Sequence, residues 1–254
     1  MKIAFYDTRA YDRSAFTKEN ETFGYEIDFF DFKLNERTAL TSNGYDAVCV
    51  FVNDVVNAEV INVLKGHGIK LVILRCAGFN NVDLEAAKNA NIKVVRVPAY
   101  SPHAVAEHAL ALLMSLTRHI PQAYQRTKTL NFSIEGLTGR DLYGLKGGIL
   151  GTGKIGQIMA GILSGLGMEI ICYDPFPNKA WAEKTGFSYV SLEELFKQSD
   201  VLSLHCPLTP ETKHIVNHDN MKMMKSDAVI INTGRGALID AKALVHALKH
   251  KHIG

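Results

Sequence analysis

Arg235 stands between two glycines in INTGRGALID (231–240), directly after the apolar run AVIINT (228–233). A guanidinium is always charged and presents a planar fork of donors, which suits a carboxylate or a polarised carbonyl. The flanking Gly234 and Gly236 let the chain turn and leave the side chain uncrowded. Two readings stay open from position alone: a group that holds an anionic substrate, or one that binds a cofactor phosphate or caps a helix.

A second constellation is Gly151-x-Gly153-x-x-Gly156, in GGILGTGKIGQIMAGILSGLG (147–167). It follows an apolar strand-like run and opens an apolar-periodic helix. In that setting Gly151 permits a tight turn, Gly153 lets backbone approach a pyrophosphate, and Gly156 lets helix and strand pack closely. The helix N-terminus then offers N–H groups and a positive dipole end to phosphate. Eighteen residues beyond Gly156, the run EIICYD ends in Asp174. A carboxylate there accepts from a ribose diol and repels a 2′-phosphate, which favours NAD over NADP. SLHCPLTPET (203–212) ends another strand and puts Cys206 and Pro207 on the same side. His205 is read as a packed, hydrogen-bonded residue rather than a catalytic acid.

These residues need strands to carry them. Short β-branched and aromatic runs form a first series: KIAFYD, YEIDFFDF, AVCVFV, KLVILRC and KVVRVP. A second series begins near Gly147: GGILGTG, EIICYD, FSYV, VLSLHCP and AVIINTG. Continuous apolar strands alternating with helices predict parallel sheets covered on both faces. The expectation is two α/β domains, 1–100 and 101–254. A helix over Pro102–His119 joins them, with Ser101 as N-cap and Pro102 at its first position.

The bulk composition is that of a globular protein, with 47% hydrophobic and 21% charged residues among 254. A net charge of +2 gives no reason to expect a nucleic-acid or anionic-membrane partner. The N-terminal stretch reads as neither a signal peptide nor a membrane span. Cys49, Cys76, Cys172 and Cys206 lie in or beside apolar runs without paired metal spacing. They are expected to be reduced and buried in a cytoplasmic protein, with no metal site.

Taken together, RCAGFNNVD, VRVPAYSPHAVAEHA, NFSIEGLTGRDLYG, GTGKIGQ, SLHCPLTPET and INTGRGALID resemble the D-isomer-specific 2-hydroxyacid dehydrogenases, across the whole chain and in order. Within that family they are most similar to the bacterial fermentative enzymes that interconvert pyruvate and D-lactate. The resemblance implies a flavodoxin-like substrate domain, a Rossmann NAD domain, and a homo-oligomer formed through the latter. It implies that Arg235 holds the carboxylate and carbonyl of a 2-keto acid. The Ala77 and Gly78 amides would bind the carboxylate, and Phe51 and Tyr100 would line the substrate pocket. Cofactor contacts are implied for Lys154, Ile155, Asp174, Cys206, Pro207, Thr212, Thr233 and Gly234, beside Gly151, Gly153 and Gly156. The family's proton donor is a histidine oriented by a glutamate, both implied to come from sequence after Gly254. The expectation is therefore a truncated chain with little turnover of its own. It would lack the outer Rossmann strands and the last helix of the substrate domain, leaving AVIINT at a sheet edge. Two other functions fit the same residues: a non-catalytic NAD sensor, and a dehydrogenase for another small 2-keto acid.

Overall fold

The computed structural model describes residues 1–98 and 100–254 and divides into two compact units, Met1–Tyr100 and Ser101–Gly254. The first unit runs β1 (Lys2–Phe5), α1 (Ala10–Asn20), β2 (Glu26–Phe29), β3 (Ala47–Val50), α2 (Ala58–Gly66), β4 (Leu71–Leu74), α3 (Leu84–Asn89) and β5 (Lys93–Arg96). Its strands are all parallel, in the order β2-β1-β3-β4-β5, which is flavodoxin-like. All four residues of β3 are buried. Such a strand must be apolar on both faces, and AVCV is. Val48, Val50, Ile61, Leu64, Val72 and Leu74 form the core between sheet and helices. Burying each such side chain is worth ~1.5–3 kcal/mol. Asn57 and Asp83 start α2 and α3 by accepting from Val60 N at 3.0 Å and Ala86 N at 2.9 Å.

The second unit opens with α4 (Pro102–Thr117) and α5 (Ile120–Lys128). There follow β6 (Lys146–Leu150), α6 (Lys154–Gly165), β7 (Glu169–Tyr173), α7 (Lys179–Thr185), β8 (Ser188–Tyr189), α8 (Leu192–Gln198), β9 (Val201–Leu204), α9 (His218–Met223), β10 (Val229–Asn232) and α10 (Ala241–Lys249). The order β10-β9-β6-β7-β8, all parallel, matches five consecutive strands, 3-2-1-4-5, of the doubly wound Rossmann sheet. The order reverses between β6 and β9, and β10 is an edge strand, as expected of AVIINT. Leu113 of α4 and Met159 and Leu163 of α6 are fully buried against the face carrying Ile149 and Ile170.

Each of the ten apolar runs carries a strand. Ser101 caps α4 through a 3.2 Å bond from Ala104 N, and Pro102 stands in its first turn. This helix belongs to the second unit and packs on α6 and β10, so it opens that unit rather than spanning both. It ends two residues early. His119 takes a left-handed backbone (φ 52°), and Ile120 and Pro121 start a separate helix.

Candidate active site

The glycine turn follows β6. Gly151 has φ 95°, a conformation that L side chains rarely adopt. A Cβ there would lie 2.6 Å from Cys206 N and 2.8 Å from Cys206 Cα, so the turns after β6 and β9 touch backbone to backbone. A Cβ on Gly156 would run into the Gly151 carbonyl. Gly153 differs, because a Cβ there meets nothing within 4 Å. Its smallness serves nothing in the protein's own packing and leaves a surface that a ligand's backbone contacts can use. Gly153 is also the N-cap of α6 and supplies no side-chain cap, so the first N–H groups of that helix face outward.

Asp174, just past β7, is held from both sides. Its Oδ2 accepts from Thr152 N at 2.7 Å and Thr152 Oγ1 at 3.0 Å; Oδ1 accepts from Phe176 N at 2.9 Å. Tyr189 Oη donates to Thr152 Oγ1 at 2.8 Å, and Gln157 Nε2 donates to Thr152 O at 2.9 Å. The carboxylate is thereby fixed beside the glycine turn, with lone-pair capacity left on Oδ1.

Gly151, Gly153, Asp174, Cys206, Pro207 and Thr212 line one cavity of about 790 Å³, together with His205, Phe176 and Leu192. Thr212 braces the far wall: its Oγ1 donates to Pro207 O at 2.7 Å and accepts from Thr209 N at 2.7 Å. Burial lowers the His205 pKa to about 4, and its Nε2 shares a 2.8 Å hydrogen bond with Ser203 Oγ. It is a neutral structural imidazole at physiological pH, as read from the sequence. Cys206 is half-buried rather than buried, and desolvation pushes its thiol up to about 11. It is no thiolate nucleophile. Lys154 and Ile155 start α6 but do not line this cavity, nor do Thr233, Gly234 and Arg235.

Arg235 stands at the carboxyl end of β10. Asn232 clamps the turn: Oδ1 accepts from Gly234 N at 2.9 Å and Nδ2 donates to Arg235 O at 3.0 Å. Among the described residues Arg235 makes no ion pair, and its guanidinium reaches only Gly234 O at 3.5 Å. An unpaired cation on a backbone fixed this way is available to an anion. Beside it, Thr233 Oγ1 is buried with no hydrogen-bond partner. A buried hydroxyl left unmet costs ~1–3 kcal/mol, which a ligand's polar group would relieve. The orphaned Thr233 hydroxyl, the open Gly153 and the uncapped start of α6 all fit a bound dinucleotide.

In the first unit, Phe51 follows β3. Asp54 Oδ2 accepts from Phe51 N at 2.5 Å, while Asn81 Nδ2 donates to Phe51 O at 2.8 Å and Asp54 O at 3.0 Å. Arg75 sits 4.5 Å from the Phe51 ring centroid and 4.8 Å from that of Phe5, and pairs with Asp12 at 3.4 Å. Phe51 and Arg75 line a second cavity, of about 550 Å³. Ala77 and Gly78 form the bend after β4, and Tyr100, 61% exposed, is the last residue of the unit. The sequence reading missed Thr152, Asn232, Asp54 and Asn81. Only Asn232 had a local signal: Asn two residues before Gly at a strand end favours a side-chain-closed turn. No group of three or more His, Cys, Asp or Glu suited to a metal occurs among the described residues, and no helix there is long and apolar enough to cross a membrane.

Residues 110–254 match the family described as D-isomer specific 2-hydroxyacid dehydrogenase, NAD binding domain. The whole chain aligns with D-lactate dehydrogenase of Escherichia coli K12 at 55% identity, spanning 77% of that enzyme. The apo structure of D-lactate dehydrogenase from E. coli superposes with a TM-score of 0.90, covering all of this chain and 80% of that one. An Aquifex aeolicus D-lactate dehydrogenase complexed with NAD and lactic acid gives a TM-score of 0.87 at 33% identity, over 99% of this chain and 74% of that one. The second unit thus carries an NAD-binding domain.

Proposed function

This chain belongs to the D-isomer-specific 2-hydroxyacid dehydrogenases, and on that premise we propose that it acts as a D-lactate dehydrogenase, interconverting pyruvate and D-lactate with NAD. The observation that carries the substrate assignment is Arg235. It is a guanidinium without an ion pair among the described residues, on a turn clamped by Asn232, next to the orphaned Thr233 hydroxyl.

Bound NADH supplies the hydride. The chain's residues do the binding and the electrostatics. Asp174 accepts from the adenosine ribose, and the open N-terminus of α6 with Gly151, Gly153 and Gly156 receives the pyrophosphate. Lys154, Ile155, Cys206, Pro207, Thr212, Thr233 and Gly234 complete the cofactor contacts. Arg235 holds the keto acid and meets charge as it develops on the carbonyl oxygen; groups placed this way contribute ~10²–10³-fold to rate. The Ala77 and Gly78 amides take the carboxylate, and Phe51 and Tyr100 border the substrate. Residues 1–100 thus form the substrate domain.

The arm between α5 and β6 supports a homo-oligomer. Leu130, Phe132, Ile134 and Tyr143 are each more than 70% exposed, which is unusual for a solvent-facing stretch. A second copy of the same unit would cover them.

The test is NADH oxidation by the full-length gene product with pyruvate, with the product resolved by enantiomer. D-lactate formed one for one with NADH consumed is the expected result. L-lactate, or no oxidation with any 2-keto acid, would overturn the proposal.

A further inference from the structure

The bend after β4 holds two peptide units in a specific attitude. In a planar trans peptide the carbonyl and the following N–H point in opposite directions. Cys76 O accepts from Val97 N at 3.2 Å, so the carbonyl of the Cys76–Ala77 peptide faces the end of β5. Its N–H, which is that of Ala77, faces away. Ala77 O accepts from Arg96 Nη1 at 2.7 Å, so the Ala77–Gly78 peptide is turned the same way and the Gly78 N–H also faces away from β5. Neither amide donates to an acceptor among the described residues. The Arg96 guanidinium is kept in place by the Phe79 ring, 5.2 Å from its centroid.

We propose that Arg96 is a positioning residue that orients and polarises the Ala77–Gly78 peptide so that the Gly78 N–H donates strongly to the substrate carboxylate. This rests on the reading that these two amides receive that carboxylate. At 2.7 Å the Arg96–Ala77 bond is a short charge-assisted one, of the kind about twice as strong as a neutral bond. A cation on the carbonyl oxygen draws electron density along the peptide and strengthens its N–H as a donor. The same guanidinium brings positive charge to the end of the sheet where an anion would bind. The effect belongs to ground-state binding of the carboxylate, which persists from keto acid through hydroxy acid. It therefore acts on KM rather than kcat.

Arg96→Met and Arg96→Lys in the full-length gene product test this. Met keeps an unbranched apolar side chain at this position and removes the charge. The Michaelis constant for pyruvate is expected to rise about tenfold in Arg96→Met, the size of one lost hydrogen bond to a charged group. The inhibition constant of oxamate, which carries the same carboxylate, rises in parallel. Turnover at saturation and NADH affinity stay within about twofold of wild type. Arg96→Lys recovers part of the loss, because it returns the charge without the fork. An unchanged pyruvate KM in Arg96→Met would overturn the inference while leaving the proposed activity intact. A parallel fall in turnover and NADH affinity would also overturn it, by making Arg96 a general structural support. A wild-type protein that turns over no 2-keto acid would remove the reading beneath it, and the inference with it.

Discussion

The two sheets have the same number of strands, all parallel, and both reverse strand order next to their first strand, yet their first strand-to-helix turns are built in opposite ways. After β6 the turn is Gly151-Thr152-Gly153, and it borders a cavity of about 790 Å³. After β1 the turn is Tyr6-Asp7-Thr8, whose residues are each at most 4% exposed. Both turns need a left-handed residue. The second unit uses Gly151 at φ 95°; the first uses Asp7 at φ 48°, whose carboxylate pairs with Arg9 at 2.9 Å. Arg75 then fills the space above β1 by donating to Tyr6 O at 3.1 Å and Asp7 O at 2.6 Å. Topology offers a crevice at the switch point in each sheet. The glycines after β6 leave that crevice open to a dinucleotide, whereas Arg75 fills the space directly above β1 and leaves a smaller cavity of about 550 Å³ beside Phe51.

Filling the open turn has the largest expected effect on this contrast. Gly156→Ala puts a methyl against the Gly151 carbonyl and must push the turn and α6 apart. NADH affinity, followed by fluorescence titration, is expected to fall by more than about tenfold, with ~1–3 kcal/mol of stability lost to overpacking. Unchanged NADH binding would mean that close packing of this turn is not what makes the site.

A smaller effect separates the sheets by pH. His205 lies beside the open crevice, with burial holding its pKa at about 4 against 6.5 for an unperturbed imidazole. The unfolded chain therefore takes up a proton below about pH 6.5, while the folded protein does not until about pH 4. The stabilising contribution is fully present above 6.5 and is lost as pH falls through that window, by at most roughly 3 kcal/mol. Urea midpoints between pH 7 and 4 should fall more steeply for wild type than for His205→Gln. Parallel slopes would show that this imidazole is not held neutral.

The difference between the sheets was partly legible in the sequence. Ten apolar runs gave ten strands; inner strands such as β3 and β9 are buried along their whole length and cannot be polar at alternate positions, while the edge strand β2 tolerates Glu26 and Asp28. The glycine spacing and Asp174 marked the open crevice. The closed one was not legible, because nothing in KIAFYDTRAYD announces that Arg75, almost seventy residues on, will fill it. The same holds for Thr152, which reads as filler between glycines yet holds Asp174 across 22 positions, and for Arg96, which reaches Ala77 across 19. Side chains whose partners are distant leave no periodicity. The arm from Leu130 to Tyr143 escaped for another reason, since its exposed apolar residues Leu130, Phe132, Ile134 and Tyr143 belong to no helix or strand.

The most direct test of the account is the kinetic behaviour of Arg235→Leu in the full-length gene product, measured as pyruvate reduction alongside NADH affinity. kcat/KM is expected to fall by roughly 10²–10³-fold or more while NADH binds as in wild type. Pyruvate reduction at the wild-type rate would contradict it, because the cation at the end of β10 would then play no part in the chemistry.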